Sequence, residues 1–112
     1  MKKNEIVKSK QRFNQIIREK NSIANKSFVI YQMPKEESVV TKPNFGIAIS
    51  TKFGNAVERN KYKRIVRLIL DETKFLFQNG QDYIIMIRKE AKERSKDYLK
   101  EQIIELLNKR NI

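Results

Sequence analysis

The chain of 112 residues contains neither cysteine nor histidine. Without cysteine it forms no disulfide and offers no thiolate to a metal ion. Without histidine it lacks both the commonest general base and the commonest zinc ligand. These two absences exclude disulfide-stapled folds, zinc modules built on cysteine and histidine, and catalysis through an imidazole.

Long apolar runs are also missing. No stretch approaches the roughly 18 residues of a membrane-spanning helix. The basic start Met1-Lys2-Lys3 is followed by no hydrophobic stretch, so we expect no secretory signal and a cytoplasmic location. The length suits a single domain that covers residues 1–112.

Acidic residues are scarce relative to basic ones. The chain has 25 lysines and arginines against 13 aspartates and glutamates, a net charge of +12. Such an excess destabilises the compact state by self-repulsion unless a polyanion offsets it. Nucleic acid is the favoured polyanion, because each phosphate neutralised by Lys or Arg releases a condensed counterion. An anionic membrane surface is the competing partner.

Hydrophobic periodicity predicts the order of the secondary-structure elements. Helices are expected over residues 9–20, over residues 57–79 with Gly80 as the residue that ends the helix, and from Ser95 onward. Strands are expected over residues 26–33, 45–51 and 82–88, with a further short strand near Val39-Val40. Residues 34–42 are expected to form an exposed connection in which Lys35 is solvated. The fold class predicted is α/β (α+β), a two-layer sandwich of a small mixed sheet of about four strands with three helices.

The most informative stretch is residues 52–67, KFGNAVERNKYKRIVR, which has one acid, Glu58, among six basic residues. On a helix, Asn60, Arg64 and Arg67 fall together opposite the apolar stripe. Arginine suits phosphate because its planar donors bind two oxygens at once. Asparagine can read a base edge or a 2′-hydroxyl, since its amide both donates and accepts.

This stretch carries a resemblance to a known family. The pattern Gly54-Asn55-Ala56-Val57-x-Arg59-Asn60-x-x-Lys63-Arg64-x-x-Arg67 resembles the signature of the bacterial ribonuclease P protein family. Ser22-x-Ala24-Asn25, followed by a strand with Phe28 and Tyr31, agrees with it, and the resemblance covers the chain from about Phe13 to the final helix. The family usually has arginine where this chain has Lys61, which keeps the charge but loses the planar fork.

The resemblance implies a fold like domain 2 of ribosomal protein S5, with a left-handed βαβ crossover that departs from the usual right-handed rule. It also implies two RNA surfaces. The first binds the catalytic RNA through Arg59, Asn60, Lys61, Lys63, Arg64 and Arg67. The second is a cleft for the single-stranded 5′ leader of precursor tRNA, formed by Phe13, Ile17, Tyr31 and Lys52, with Arg12 and Lys10 as further sources of charge.

The aromatic residues of this cleft are of the kind on which single strands stack their bases. Phe13 also lies on the apolar stripe of its helix, so the core is an alternative place for it. The family often has a second aromatic where this chain has Ile17, and an aliphatic side chain offers no stacking platform. The choice between core and RNA contact stays open for Phe13 and Tyr31.

The acids give no sign of catalysis by the protein itself. Metal-dependent nucleases need converging carboxylates, whereas Glu58, Asp71, Glu72 and Asp82 show no such spacing and are expected on the solvated surface. We therefore expect no catalytic or metal-binding residue in the chain, with Mg²⁺ held mainly by the partner RNA and the substrate. No membrane and no obligate protein partner are expected.

Three other functions compete with this interpretation. A ribosomal or ribosome-assembly protein would have a similar size and charge, but such proteins often carry long basic tails, whereas the basic cluster here lies inside the predicted fold. A membrane-surface protein fits poorly, because the basic residues occupy mostly the first half of the long helix and acids follow them. A stand-alone nuclease is the third alternative.

Overall fold

The computed structural model of the protein describes residues 1–36 and 40–110. Within them the elements follow in the order α1, β1, β2, β3, α2, β4, α3. Their bounds are α1 Lys10–Arg18, β1 Ser22–Ala24, β2 Phe28–Pro34, β3 Asn44–Ile49, α2 Ala56–Thr73, β4 Gln81–Ile87 and α3 Lys96–Arg110. This arrangement confirms the predicted α+β fold with three helices. None of the described helices is long and apolar enough to cross a membrane.

Short polar side chains begin the helices, as the sequence indicates. Ser9 Oγ accepts a hydrogen bond from the Arg12 amide at 3.0 Å, and Ser95 Oγ accepts one from the Tyr98 amide at 3.1 Å. Each hydroxyl satisfies an amide that has no partner inside its own helix. The starts of α1 and α3 are therefore fixed by local chemistry.

The end of α2 differs from the prediction. The helix stops at Thr73 and continues as a 3-10 turn over residues 74–76, so Phe77 is not part of the helical stripe. Phe77 is extended instead, and its ring packs edge-on against Phe45 and Tyr83 with centroids 4.9 and 4.8 Å apart. The helix ends before Phe77 because the Phe77 ring is buried against Phe45 and Tyr83 only when the backbone at Phe77 is extended. Gly80, with a φ of 75°, lies in the turn before β4 rather than at the helix end.

The four strands form one mixed sheet in the order β1-β2-β4-β3. β2 pairs antiparallel with both β1 and β4, whereas β3 pairs parallel with β4, so that Phe45 lies beside Tyr83 and Gly46 beside Ile84. The parallel pair makes β3–α2–β4 a crossover connection. Its left hand stays a prediction from the family resemblance.

The helices cover the two faces of the sheet unequally. One face, with Phe28, Ile30 and Ile85, forms the main core with α2 and α3, whose buried residues include Val66 and Leu99. The opposite face is covered by α1, which places Ile16, fully buried, on that side. Because α1 has only nine residues, it leaves part of this second face open.

Two further differences concern the first half of the chain. The sequence analysis predicted no strand between the first helix and residue 26, yet Ser22–Ala24 forms β1 at the edge of the sheet. Three residues are too few for a strand signal to stand out from the sequence. Of the short strand expected near Val39-Val40, Val39 lies outside the described residues and Val40 is not in a strand.

The prediction that Lys35 is a solvated loop residue is wrong. Its ammonium donates to Thr41 Oγ1 at 2.8 Å, the Lys42 carbonyl at 2.6 Å and Asn44 Oδ1 at 3.0 Å. These three acceptors use all three protons of the ammonium. Lys35 therefore fastens the connection between β2 and β3 rather than pointing into solvent.

Candidate nucleic-acid interface

The first turn of α2 is a reciprocal cap. Asn55 Oδ1 accepts from the Glu58 amide at 2.9 Å, and Glu58 Oε1 accepts from the Asn55 amide at 3.2 Å. A side chain at Gly54 would collide with this carboxylate, because a Cβ there would lie 2.6 Å from Glu58 Oε1. Gly54 is thus explained by the cap.

The buried side of α2 carries Tyr62, Val66, Ile69 and Leu70. The six predicted RNA-binding residues lie away from it: Asn60, Lys61, Arg64 and Arg67 are exposed, and Arg59 and Lys63 are half-buried. The expectation that Asn60, Arg64 and Arg67 point out of the core is therefore confirmed. We call the group Arg59, Asn60, Lys63, Arg64 and Arg67 the cationic face of α2.

The acids of α2 are neutralised by residues outside this face. Glu58 pairs with Lys92 at 3.0 Å, Asp71 with the Met1 amine at 3.3 Å, and Glu72 with two lysines of α3. The hydrogen bond from Lys92, followed by the one from the Asn55 amide, lowers the pKa of Glu58 below its ordinary value, so this carboxyl stays ionised. Within residues 1–36 and 40–110, no cation of the face has an acidic partner.

The predicted cleft lies on the sheet face that α1 covers. Phe13 projects from α1 onto this face, where a Cβ on Gly46 would lie 2.9 Å from Phe13 Cε2 and 2.6 Å from Ile84 Cδ1. Only a residue without a side chain at position 46 allows the ring to come so close. Phe13 and Ile17 are half-buried, so each packs against the protein and keeps some exposed surface.

Tyr31 joins the same face through the strand register. It pairs with Ile84 on one side and with Ser22 on the other, and it is half-buried. Because Gly46 pairs with Ile84 from the other side, Phe13 and Tyr31 flank this one buried isoleucine. The structure thus brings together the two aromatic residues that the sequence analysis proposed for the cleft.

Lys52 is placed elsewhere. It is exposed, in a 3-10 turn at Thr51–Phe53 beyond the end of β3, whereas Phe13 lies over Gly46 near the beginning of that strand. At about 3.3 Å of rise per residue, the three positions from Gly46 to Ile49 place the end of β3 about 10 Å from Gly46, and Lys52 lies beyond that end. Lys52 therefore lies past the end of β3 and not beside Phe13 and Tyr31.

Comparison with known proteins gives the family. Residues 1–111 match the family model described as Ribonuclease P. The ribonuclease P protein component of Bacillus cereus strain AH187 is 37% identical over 111 residues, covering 97% of this chain and 93% of that protein. The chain belongs to the ribonuclease P protein family. The resemblance inferred from the signature in residues 54–67 is therefore confirmed.

Solved structures of ribonuclease P proteins agree with the fold. A mutant of the Staphylococcus aureus RNase P protein with defective mRNA degradation activity superimposes with a TM-score of 0.85 at 29% identity, covering 97% of this chain and 90% of that one. The RNase P protein from Thermotoga maritima gives a TM-score of 0.81 at 28% identity, with 94% and 96% covered. The mixed sheet and its three helices are thus those of ribonuclease P proteins.

Two charged residues have roles that the sequence analysis did not assign. Asp82, expected on the solvated surface, is buried, and its Oδ2 accepts from Arg12 Nε at 2.9 Å. Arg12 also donates to the Pro34 carbonyl at 2.7 Å. The expectation that Asp82 is solvated and the expectation that Arg12 supplies charge to the cleft are both wrong, because the two side chains bind each other. Lys10, the other suggested source, is exposed.

Some residues of the interface were missed because only the fold brings them together. Val29, Ala48 and Met86 are half-buried on the open sheet face beyond Tyr31 and extend the floor of the cleft. The alternation within β2 was the available signal, since Val29 and Tyr31 alternate with the buried Phe28 and Ile30.

A cavity of about 220 Å³ links the two surfaces that the sequence analysis kept separate. Phe13 lies on its wall together with Lys63 and Arg67 of the cationic face. Ile6 also lines it and belongs to residues 1–8, which precede α1 and are called the N-terminal segment. The N-terminal segment follows the edge of β3, where the Val7 amide donates to the Phe45 carbonyl at 2.9 Å. The two predicted RNA surfaces are therefore neighbours around this edge.

Proposed function

We propose that this chain is the protein component of a ribonuclease P ribonucleoprotein, in which a catalytic RNA removes the 5′ leader of precursor tRNA. The observation that carries the proposal is the cationic face of α2, whose side chains have no acidic partner within the described residues, in a chain of the ribonuclease P family. Free cations of this kind neutralise phosphates and release their counterions.

The catalytic RNA is the partner of the cationic face. Arg64 and Arg67 are exposed and unpaired among the described residues, so their guanidinium groups are available for two-oxygen contacts with phosphates. Asn60 lies on the same side, where its amide can contact a base edge or a 2′-hydroxyl. Lys61 is exposed and acts as a point charge where the family usually has an arginine.

The leader of precursor tRNA is the partner of the cleft. Phe13 and Tyr31 offer half-exposed rings on either side of Ile84, and single strands bind by stacking their bases on such rings. The open floor beyond them is apolar and leads toward Lys52. A single strand lying on this floor keeps its bases against the sheet and its phosphates in solvent.

The protein positions RNA and leaves the chemistry to its partner. Among the described residues there is no group of three or more acids that could hold a metal ion, and a cationic surface repels divalent cations. The residues therefore do not fit a Mg²⁺ site, and we assign Mg²⁺ mainly to the phosphates of the catalytic RNA and the substrate. We assign no catalytic residue to the chain.

Reconstitution tests this function. Purified protein alone should leave precursor tRNA intact at any Mg²⁺ concentration. Addition of a bacterial ribonuclease P RNA at low Mg²⁺ should release a mature 5′ end, and omission of the protein should slow that reaction. Site-specific cleavage by RNA-free protein, or no effect of the protein on cleavage by the RNA, would refute the proposal.

A further inference from the structure

Phe75 is an exposed aromatic side chain that the core does not use. It lies in the 3-10 turn of residues 74–76 that follows α2, and 79% of its surface is exposed. The neighbouring Phe77 is buried. A large apolar side chain left in water gains nothing from burial, so the fold itself gives no reason for a phenylalanine at this position.

A cavity of about 370 Å³ opens beside Phe75. Its inner wall is aromatic, formed by the buried rings of Phe45 and Phe77, whose centroids lie 4.9 Å apart at an interplanar angle of 85°. This volume lies within the range of about 300–1,000 Å³ that is typical of small-ligand sites. The cavity therefore has room for one flat group placed against the exposed Phe75 ring.

Two of the four polar residues around the cavity are lysines. Lys42, Lys74, Asn79 and Glu5 line it. Lys74 donates to Glu5 Oε2 at 2.8 Å, which neutralises the only acid in this lining. Lys42 is exposed and has no acidic partner in residues 1–36 and 40–110. An aromatic platform with an amide and ammonium groups around it has the chemistry that binds a single-stranded nucleotide.

The cavity continues the cationic face of α2. Lys63 and Arg67 are separated by four residues, so they lie on one side of α2, and Lys74 directly follows Thr73, the last residue of that helix. Phe45 lines both this cavity and the cavity beside Lys63 and Arg67, on the two sides of the N-terminal segment. From Arg67 to Thr73 the helix advances about 9 Å, and the 3-10 turn carries the chain about 4 Å further to Phe75. An RNA strand bound along the cationic face therefore reaches Phe75 within two or three nucleotides.

We propose that Phe75 and this cavity bind one unpaired nucleotide of the catalytic RNA. The base stacks on the Phe75 ring, the Asn79 amide contacts its edge, and Lys42 lies near a flanking phosphate. This inference rests on the proposed function, because the RNA must first occupy the cationic face. A second copy of the chain is the competing occupant, but two chains of net charge +12 repel each other.

Fluorescence tests the site directly, because the chain contains no tryptophan. Phe75→Trp introduces a single indole, and addition of a bacterial ribonuclease P RNA should quench its emission and shield it from acrylamide. Val40→Trp is the control, since Val40 is 73% exposed and does not line the cavity. Precursor tRNA alone, as a second arm, should leave the emission of Phe75→Trp unchanged. Equal quenching of both variants by the catalytic RNA would overturn the proposal.

Affinity provides the second measurement. Phe75→Ala should weaken binding of the catalytic RNA about 5- to 150-fold, the loss that corresponds to one stacked base, whereas Val40→Ala should not. The wild-type protein must first be shown to bind the catalytic RNA, since failure of the wild type to bind would refute the proposed function itself. If wild type binds and Phe75→Ala binds equally well, only the Phe75 site is wrong. A change in sedimentation of the free protein without a change in RNA affinity would assign Phe75 to self-association and overturn the proposal.

Discussion

Arg12 of α1 and Asp82 of β4 form an ion pair with Nε and Oδ2 2.9 Å apart, across 70 residues of sequence. Both side chains are largely buried, with 16% and 11% of their surfaces exposed. Their contact fixes α1 on the sheet face that carries the cleft. The pair thus links α1 to β4, one of the two inner strands of the sheet.

Loss of this pair should destabilise the fold. Arg12→Ala leaves the Asp82 carboxylate buried without its partner, and we expect a loss of about 3 kcal/mol in the free energy of unfolding, the lower end of the range for broken buried pairs. Arg18→Ala is the control, because Arg18 is exposed on the same helix. Its effect should stay within about 0.5 kcal/mol. Urea unfolding measures both, and equal losses would show that the pair does not hold α1.

The cleft should discriminate precursor tRNA from mature tRNA. Tyr31→Ala and Phe13→Ala should each weaken binding of precursor tRNA to the reconstituted complex by about 1–3 kcal/mol, the value of one stacked base. Mature tRNA, which has no leader, should bind unchanged. Equilibrium binding of the two tRNAs gives the comparison.

Leu99→Ala serves as the matched stability control for the cleft. Leu99 is fully buried in α3, so its truncation should cost about 2–5 kcal/mol of stability and spare leader selectivity. If Tyr31→Ala instead lowers the melting temperature and leaves the two tRNAs equally affected, Tyr31 is a core residue and the stacking role is wrong.

The cationic face should account for the salt dependence of RNA binding. Arg64→Ala and Arg67→Ala should each weaken binding of the catalytic RNA and reduce the slope of log affinity against log salt by about one unit. Both side chains are exposed, so the melting temperature should not change. RNA binding at several salt concentrations, with thermal melts in parallel, measures this.

Lys109→Ala is the charge-matched control for these variants. Lys109 is exposed on α3 and pairs with Glu105 of the same helix at 3.3 Å. Lys35, which the sequence predicted to be solvated, is unsuitable as a control because its three hydrogen bonds support the loop before β3. Should Lys109→Ala and Arg64→Ala change the slope equally, net charge alone would explain binding.

Stability should fall at acid pH. Four glutamates have pKa values lowered from the ordinary 4.5, each mainly by a hydrogen bond to its side chain: Glu5, Glu58, Glu72 and Glu90. A carboxyl with a lowered folded-state pKa stabilises the protein above its unfolded pKa, and this contribution is lost as pH falls through the folded value. The melting temperature should therefore be level near neutral pH and fall below about pH 4.5.

Glu72→Gln tests the origin of this dependence. The pKa of Glu72 is lowered mainly by the hydrogen bond from Lys96, followed by the one from Lys100. The Gln variant therefore loses both ion pairs between α2 and α3. Its melting temperature should lie below that of wild type at pH 7, and the difference should shrink as the pH falls below 4.5. A difference that is constant from pH 7 to pH 3 would contradict this assignment.

Local chemistry explains what the sequence could predict. The caps at Ser9 and Ser95 and the outward position of Arg64 depend on residues within one or two helical turns of each other. Such interactions are visible as spacing in the sequence. For the same reason the signature helix, and with it the family, could be recognised before any tertiary contact was known.

Contacts between distant segments explain what the sequence could not predict. The burial of Asp82 depends on Arg12, and the space for the Phe13 ring depends on Gly46. The end of α2 depends on the packing of Phe77 against Phe45 and Tyr83. In each case a local pattern gave one answer and a partner more than 30 residues away in the chain gave another, since tertiary packing overrides local preference.

The place of β4 in the sheet has a consequence for synthesis of the protein. β4 lies between β2 and β3, yet it is the last of the four strands to leave the ribosome. Until Ile87 has emerged, β2 has only the three-residue β1 to pair with and β3 has no neighbouring strand in the sheet. The cationic signature helix is thus translated before the sheet beneath it exists. The nascent chain must keep β2 and β3 from pairing with other molecules during that interval, because unpaired strand edges favour aggregation.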